Sequence, residues 1–202
     1  MPPSMDPVSL QMPIRRYFRR QRFKNFNADY QNCQTILDVG GEPAMWSIIG
    51  RTEGVTLINI RVPQDTAGFK FVQGSGCDMP FADKSFDLAF SNSAIEHVGS
   101  EENQFKFASE MMRVGKKIFC QTPCRLFPID PHLGAFFLHW LPGSWLKPGF
   151  LRYFTLNGLL WKKAYEYDVT WISKKKLQEM FPGCKIKTER FMLMPKSFVV
   201  TN

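Results

Sequence analysis

Five short β-rich runs recur through the middle of the chain, TILDV (35–39), VTLINI (55–60), FKFVQG (69–74), FDLAFS (86–91) and KKIFCQT (116–122), with helical or turn-forming segments between them. This alternation predicts an α/β fold with a mostly parallel sheet, because parallel neighbours need a crossover that carries the chain back to the same end of the sheet. The best-marked crossover precedes the fifth run. Ser100 can cap a helix there, Glu101 and Glu102 occupy its positive first turn, and Phe105, Ala108 and Met112 form the predicted inward face before Gly115. A second helix is predicted after Ser173, with Leu177 and Met180 inward and Phe181-Pro182-Gly183 ending it. The stretch between the second and third runs is short and contains Pro63 and Gly68, which leaves no room for a full helix. CKIKTERFML and KSFVVTN, near the end, read as an antiparallel hairpin added to the sheet.

At 202 residues and 44% hydrophobic content the chain is expected to form one domain over 1–202, with enough apolar surface to exclude bulk disorder. Two segments depart from the alternating pattern. Residues 1–33 form an N-terminal basic helical extension, in which IRRYFRRQRFKNF carries six basic residues, no acid, and interleaved aromatics. Residues 123–168 form an insertion after the fifth run; from Leu133 to Trp161 it has no acids and three tryptophans, which suits a lid over an apolar acceptor, an interfacial anchor or a packed core subdomain. The net charge of +8 favours acidic ligands, anionic lipid or nucleic acid without choosing among them. Tyr17, Phe18, Phe23 and Phe26 among the arginines suit contact with an anionic membrane surface, whereas nucleic acid is not expected, since no recognised RNA module is present.

The first residues, MPPSMDPVSL, lack the charged-then-apolar order of a secretory signal, and Leu133 to Leu146 is too short to span a bilayer. A cytoplasmic protein is therefore expected, peripheral at the inner membrane face if the basic extension docks there. The five cysteines show no zinc-ligand spacing and read as buried thiols.

In an open parallel sheet ligands bind beyond the carboxyl ends of the strands. After the first run comes LDVGGEPAMW: Asp38 ends the strand, Gly40 and Gly41 let the backbone turn tightly, and Pro43 opens a short helix. Asn59 ends the second run, where ribose-reading groups sit in nucleoside-binding sheets, and its amide can both donate and accept. The third run leads into GSGCDMPFADKSFD, with Asp78 placed to accept from an exocyclic amine and Met79 to lie on a base. Asp83 and Asp87 there read as turn residues. The fourth leads into SNSAIEHV, with Glu96 and His97, and FPIDPH follows the fifth, with Asp130 and His132.

DVGG followed by DMPFADKSFDLAFSNSAIEH resembles, in order and spacing, the class I S-adenosylmethionine-dependent methyltransferases. The similarity continues through RVGKKIFCQTPCRLFPIDPH, HWLP and ERFMLMPKSFVV, over roughly residues 34 to 200, and resembles one bacterial branch of the superfamily. The resemblance implies a Rossmann-like sheet, mostly parallel with an antiparallel C-terminal strand, plus the aromatic-rich insertion. It implies S-adenosyl-L-methionine as cofactor and S-adenosyl-L-homocysteine as product. Carried over by residue, Asp38, Gly40 and Gly41 would approach the methionine part, Asn59 the ribose, and Asp78 with Met79 the adenine, while Ser91, Asn92 and Ser93 would close over the methionine end. The implied reaction is an in-line displacement on a sulfonium methyl by a hydroxyl or other nucleophile of a small or glycan-type acceptor, lipid-linked if the extension and insertion meet a membrane. A hydroxyl acceptor needs a base, and the candidate is His97, on the side where the methyl should emerge, with Glu96 beside it; His132 is the second choice, with Asp130 or Arg125 to orient it or the acceptor.

Two departures keep an alternative open: the family's D-x-G-x-G-x-G reads here as Asp38, Gly40, Glu42 and Ala44, and its acidic ribose ligand is Asn59. The alternative is a methyltransferase-like binding or scaffold protein. A nicotinamide-dependent oxidoreductase is disfavoured by the missing GxGxxG and ribose carboxylate.

Overall fold

The computed structural model describes residues 22–23, 26, 28–63, 65–130, 135–141 and 168–202. Strands β1 (Ile36–Val39), β2 (Val55–Asn59), β3 (Lys70–Gln73), β4 (Phe86–Asn92), β5 (Gly115–Pro123), β8 (Lys185–Phe191) and β9 (Met194–Thr201) form one sheet in the order β3-β2-β1-β4-β5-β9-β8. The first five pair in parallel, and β9 runs antiparallel to both β5 and β8. Strands β6 (Ile129–Asp130) and β7 (Ala135–Phe136) pair separately within the insertion. The expected Rossmann-like sheet with its antiparallel closing hairpin is therefore the fold, and the described residues between β2 and β3 contain no helix.

Side chains alternate between the two faces of the sheet with the period of two that strands impose. Leu37, Val39, Ala89, Ile118 and Cys120 face helices α2 (Glu101–Val114) and α3 (Lys174–Met180), joining Phe107, Met111, Leu177 and Met180 in one core. Ile36, Leu88, Phe90 and Phe119 face the other way, onto Trp46 of α1 (Pro43–Ile49) and onto Phe23, Phe26 and Tyr30 of the N-terminal extension. Phe26 is 1% exposed, with ring centroids 5.1 Å from Phe90 and 5.6 Å from Phe119. Burying a phenylalanine to this degree stabilises the fold by roughly 2–3 kcal/mol. Phe23 and Phe26 are thus core residues and correct the expectation that they meet a membrane surface; Tyr17 and Phe18 lie outside the described residues.

The predicted Ser100 cap forms, its Oγ accepting from the Asn103 amide, and Ser173, after which the second helix is predicted, caps that helix in the same way through the Lys176 amide. One helix face differs from expectation. The buried residues of α2 are Gln104, Phe107, Ala108, Met111 and Val114, whereas Phe105 is exposed and Met112 only half-buried. Phe105 and Met112 form a second apolar stripe on the helix; the first packs on the sheet because it aligns with Val39, Ala89 and Ile118. Cys33, Cys120, Cys124 and Cys184 are buried free thiols, as expected, while Cys77 is half-buried.

Candidate functional site

The carboxyl ends of β1, β2 and β4 converge on the glycine turn. Gly40 has φ +78°, its amide donates to the Ile58 carbonyl at 2.8 Å, and a Cβ there would come 2.5 Å from Cβ of Ala94 in the segment after β4. Only a residue without a side chain permits both the left-handed backbone and this approach. At Gly41 the demand comes from within the loop, since a Cβ would lie 2.0 Å from Oδ2 of Asp38.

Asp38 is fully buried. Trp46 Nε1 donates to its Oδ2 at 2.6 Å, and its Oδ1 is buried with no hydrogen-bond partner. Burial pushes the carboxyl up to about 7; the Trp46 hydrogen bond opposes that shift and the nearby Glu42 charge adds to it. A carboxyl poised near neutrality therefore sits behind the turn. Trp46 is a site residue that sequence reasoning missed, its signal being only a tryptophan one turn into the helix that the turn launches.

Asn59 braces the same turn: Nδ2 donates to the Gly41 carbonyl at 3.3 Å and Oδ1 accepts from the Arg61 amide at 3.2 Å. Asp78 is exposed beyond β3, its amide donating to the Ser75 carbonyl. Met79 departs from the expected role. Its side chain is 3% exposed within the α2-facing core and presents no open face to a base, while its amide donates to Glu110 Oε2 at 2.7 Å and its carbonyl accepts from Arg113. Ser91 also differs: it is fully buried and its Oγ donates to the Val39 carbonyl at 3.0 Å, which fastens β4 to β1 instead of facing the crevice.

Asn92 and Ser93 stand at the end of β4, next to Gln121 of β5. Ser93 holds φ +60°, its amide donating to the Gln121 carbonyl at 2.9 Å and its Oγ to Gln121 Oε1 at 3.0 Å. The organising group is Arg22, from the N-terminal extension. Nη1 donates to Asn92 Oδ1 at 2.6 Å and Gln121 Oε1 at 3.1 Å, while Nε and Nη2 form a fork onto Glu189 of β8. Burial opposes the charge of Glu189, but Arg22 and the Ser197 hydroxyl together hold its carboxyl below the ordinary value. Arg22 was invisible as a site residue because it is one of six basic residues in the same run.

His97 ends a short 3₁₀ turn (Ile95–His97) after β4, with Nδ1 donating to Asp168 Oδ1 at 3.1 Å. Beside it, Glu96 is fully buried and its Oε2 accepts from the Thr122 hydroxyl at 3.0 Å, bonding a side chain of β5. His132 lies outside the described residues, as do residues 131–134 and 142–167 of the insertion. Asp130 is buried, and the Arg125 carbonyl accepts from His139 Nε2 and Trp140 Nε1. Asp87 lies at the opposite end of β4, accepting from the amides of Gln34 and Thr35, and Asp83 pairs with Arg113. Among the described residues no helix is long and apolar enough to cross a membrane.

Residues 51–118 match a family model described as a methyltransferase domain, a span that begins after the glycine turn and ends within β5. An uncharacterized methyltransferase of Mycobacterium sp. (strain JLS) is 32% identical over 89 residues, which cover 40% of this chain and 34% of that one. The chain thus spans about a third of the length of the curated relatives it matches. A protein of Pyrococcus horikoshii superposes with a TM-score of 0.60 at 13% identity, over 95% of this chain and 92% of that one. The 1,6-didemethyltoxoflavin-N1-methyltransferase of Burkholderia thailandensis, solved with bound 1,6-didemethyltoxoflavin and S-adenosylhomocysteine, superposes at 0.54 and 14% identity, over 91% and 76%. The chain therefore carries the class I methyltransferase fold, and its central residues 51–118 match the methyltransferase-domain family.

Proposed function

We propose that the chain is an S-adenosylmethionine-dependent methyltransferase that acts on a hydroxyl, or another nucleophile, of a small or glycan-type acceptor. The observation that carries the reading is the buried Asp38 carboxyl behind the Gly40–Gly41 turn, with one oxygen lacking a partner. Ionised, it gives the turn a negative pole in a poorly hydrated place, which complements a ligand bearing both an ammonium and a sulfonium. When bound, S-adenosylmethionine supplies an activated methyl group on sulfur. Gly40 and Gly41 would hold the methionine part, Asn59 the ribose side, and Asp78 the adenine side. Asn92 and Ser93, fixed by Arg22 and Gln121, shape the edge where the acceptor enters. His97 is the proposed base for a hydroxyl acceptor, since a proton on Nδ1 donated to Asp168 leaves Nε2 as the basic nitrogen.

A second reading, a methyltransferase-like binding or scaffold protein, is favoured by Asn59, whose two polar ends are already used within the fold. Calorimetric titration of the folded protein with S-adenosylmethionine and S-adenosylhomocysteine, beside NAD, separates the two. One-to-one binding in the micromolar range supports the enzyme. Absence of binding up to millimolar ligand would replace it with the scaffold.

A further inference from the structure

The β8–β9 hairpin turns at Met192 and Leu193, which are 81% and 88% exposed. Turns of this kind favour Asn, Asp or Gly, and Met192 holds φ +54°, a backbone conformation that suits none of the large apolar residues. Neither turn geometry nor burial explains these two side chains. The tip lies at the carboxyl end of β5, because Pro123 pairs with Ser197 at the start of β9.

The insertion presents more apolar surface at the same end. Leu126, Phe136, Phe137 and Trp140 are all exposed, with the Phe137 and Trp140 ring centroids 4.9 Å apart. Trp140 Nε1 donates to the Arg125 carbonyl, so the indole's polar atom is satisfied internally. The insertion and the hairpin are joined beneath this surface by Phe127 against Phe191, at 6.2 Å, and by the Cys124 amide donating to the Lys196 carbonyl. Among the described residues of 124–141 and 185–197 the exposed charges have one sign: Arg125, Lys187 and Arg190 are exposed, whereas Asp130 is buried and Glu189 is held by Arg22.

We propose that this edge, centred on Met192, Leu193, Phe137 and Trp140, docks the protein onto an anionic lipid bilayer. Exposed large apolar side chains with an aromatic belt and a basic rim are the chemistry that inserts at a lipid interface while pairing with its headgroups. The inference goes beyond methyl transfer and needs no cofactor. It also moves the membrane-facing role away from Phe23 and Phe26, which are buried.

The test is flotation of the full chain with phosphatidylglycerol-rich vesicles and with pure phosphatidylcholine vesicles, at low and high salt. Wild type should float with the anionic vesicles and be released by salt. The double variant M192D/L193D, altered only at exposed positions and checked by an unchanged urea midpoint, should bind at least about tenfold more weakly. Absence of binding to anionic vesicles, or equal binding by M192D/L193D, overturns the proposal. So does a concentration-dependent dimer that the double variant abolishes while neither protein floats, which would assign the edge to a second copy of the chain. Titration with S-adenosylhomocysteine in the same preparations reports separately on the cofactor reading.

Discussion

Replacing Asp38 by Asn isolates the energetic cost of the buried carboxyl behind the glycine turn. In the folded protein this group titrates near 7, against an ordinary value of 3.8. Between those two values the unfolded chain has lost the proton and the folded chain retains it. The native state then binds more protons, so this group makes stability fall as pH rises from about 4 to 7, with no further change above. The full effect is about 4 kcal/mol, from about 1.4 kcal/mol per pH unit. Asn cannot ionise, and its oxygen can still accept from Trp46 Nε1. Its amide hydrogens would occupy the place of the unpartnered Oδ1, at a pH-independent cost of about 1–3 kcal/mol. D38N is therefore expected to be the less stable protein near pH 4 and to gain on wild type up to about pH 7. Urea unfolding of both proteins across this range, taken as a difference, cancels every other titrating group. A difference constant to within about 0.5 kcal/mol across the window would refute the assignment of a raised Asp38.

Two further perturbations test the other ends of the site. Arg22→Met should destabilise by about 3–5 kcal/mol because it strands the Glu189 carboxylate, while the double variant with Glu189→Gln should cost less than the two single changes together. Unfolding midpoints that add within about 0.5 kcal/mol would show that the pair carries no coupling. Once an acceptor is identified, His97→Ala should lower turnover by about a hundredfold while leaving S-adenosylhomocysteine affinity nearly unchanged. Equal turnover would reduce His97 to a structural part.

Much of the frame is legible along the chain. Short β-rich runs mark the five parallel strands, Ser100 marks the start of α2, and the short β2–β3 connection follows from Pro63 and Gly68. The turn at Gly40 and Gly41 is equally local, although the reason for Gly41 is not, since it clears the carboxylate of Asp38. The face of α2 was misjudged because two apolar stripes run along it. Local pattern cannot say whether Phe105 with Met112, or Phe107 with Met111, meets the sheet.

Met79 and Ser91 show the same limit within the site. Met79 follows β3 and Ser91 lies near the end of β4, at positions where ligands bind, yet one side chain packs against α2 and the other bonds the neighbouring strand. Element order, the parallel sheet and the place where a ligand could lie can be read along the chain, because these depend on β-rich runs, capping and turn chemistry within a few residues. It takes the assembled fold to show that Arg22, one of six basic residues in its run, reaches Asn92, Gln121 and a glutamate 167 residues away, and that Phe26 turns inward while Met192 and Leu193 turn outward. Those choices rest on pairings between distant segments, whose geometry exists only once the sheet has assembled around them.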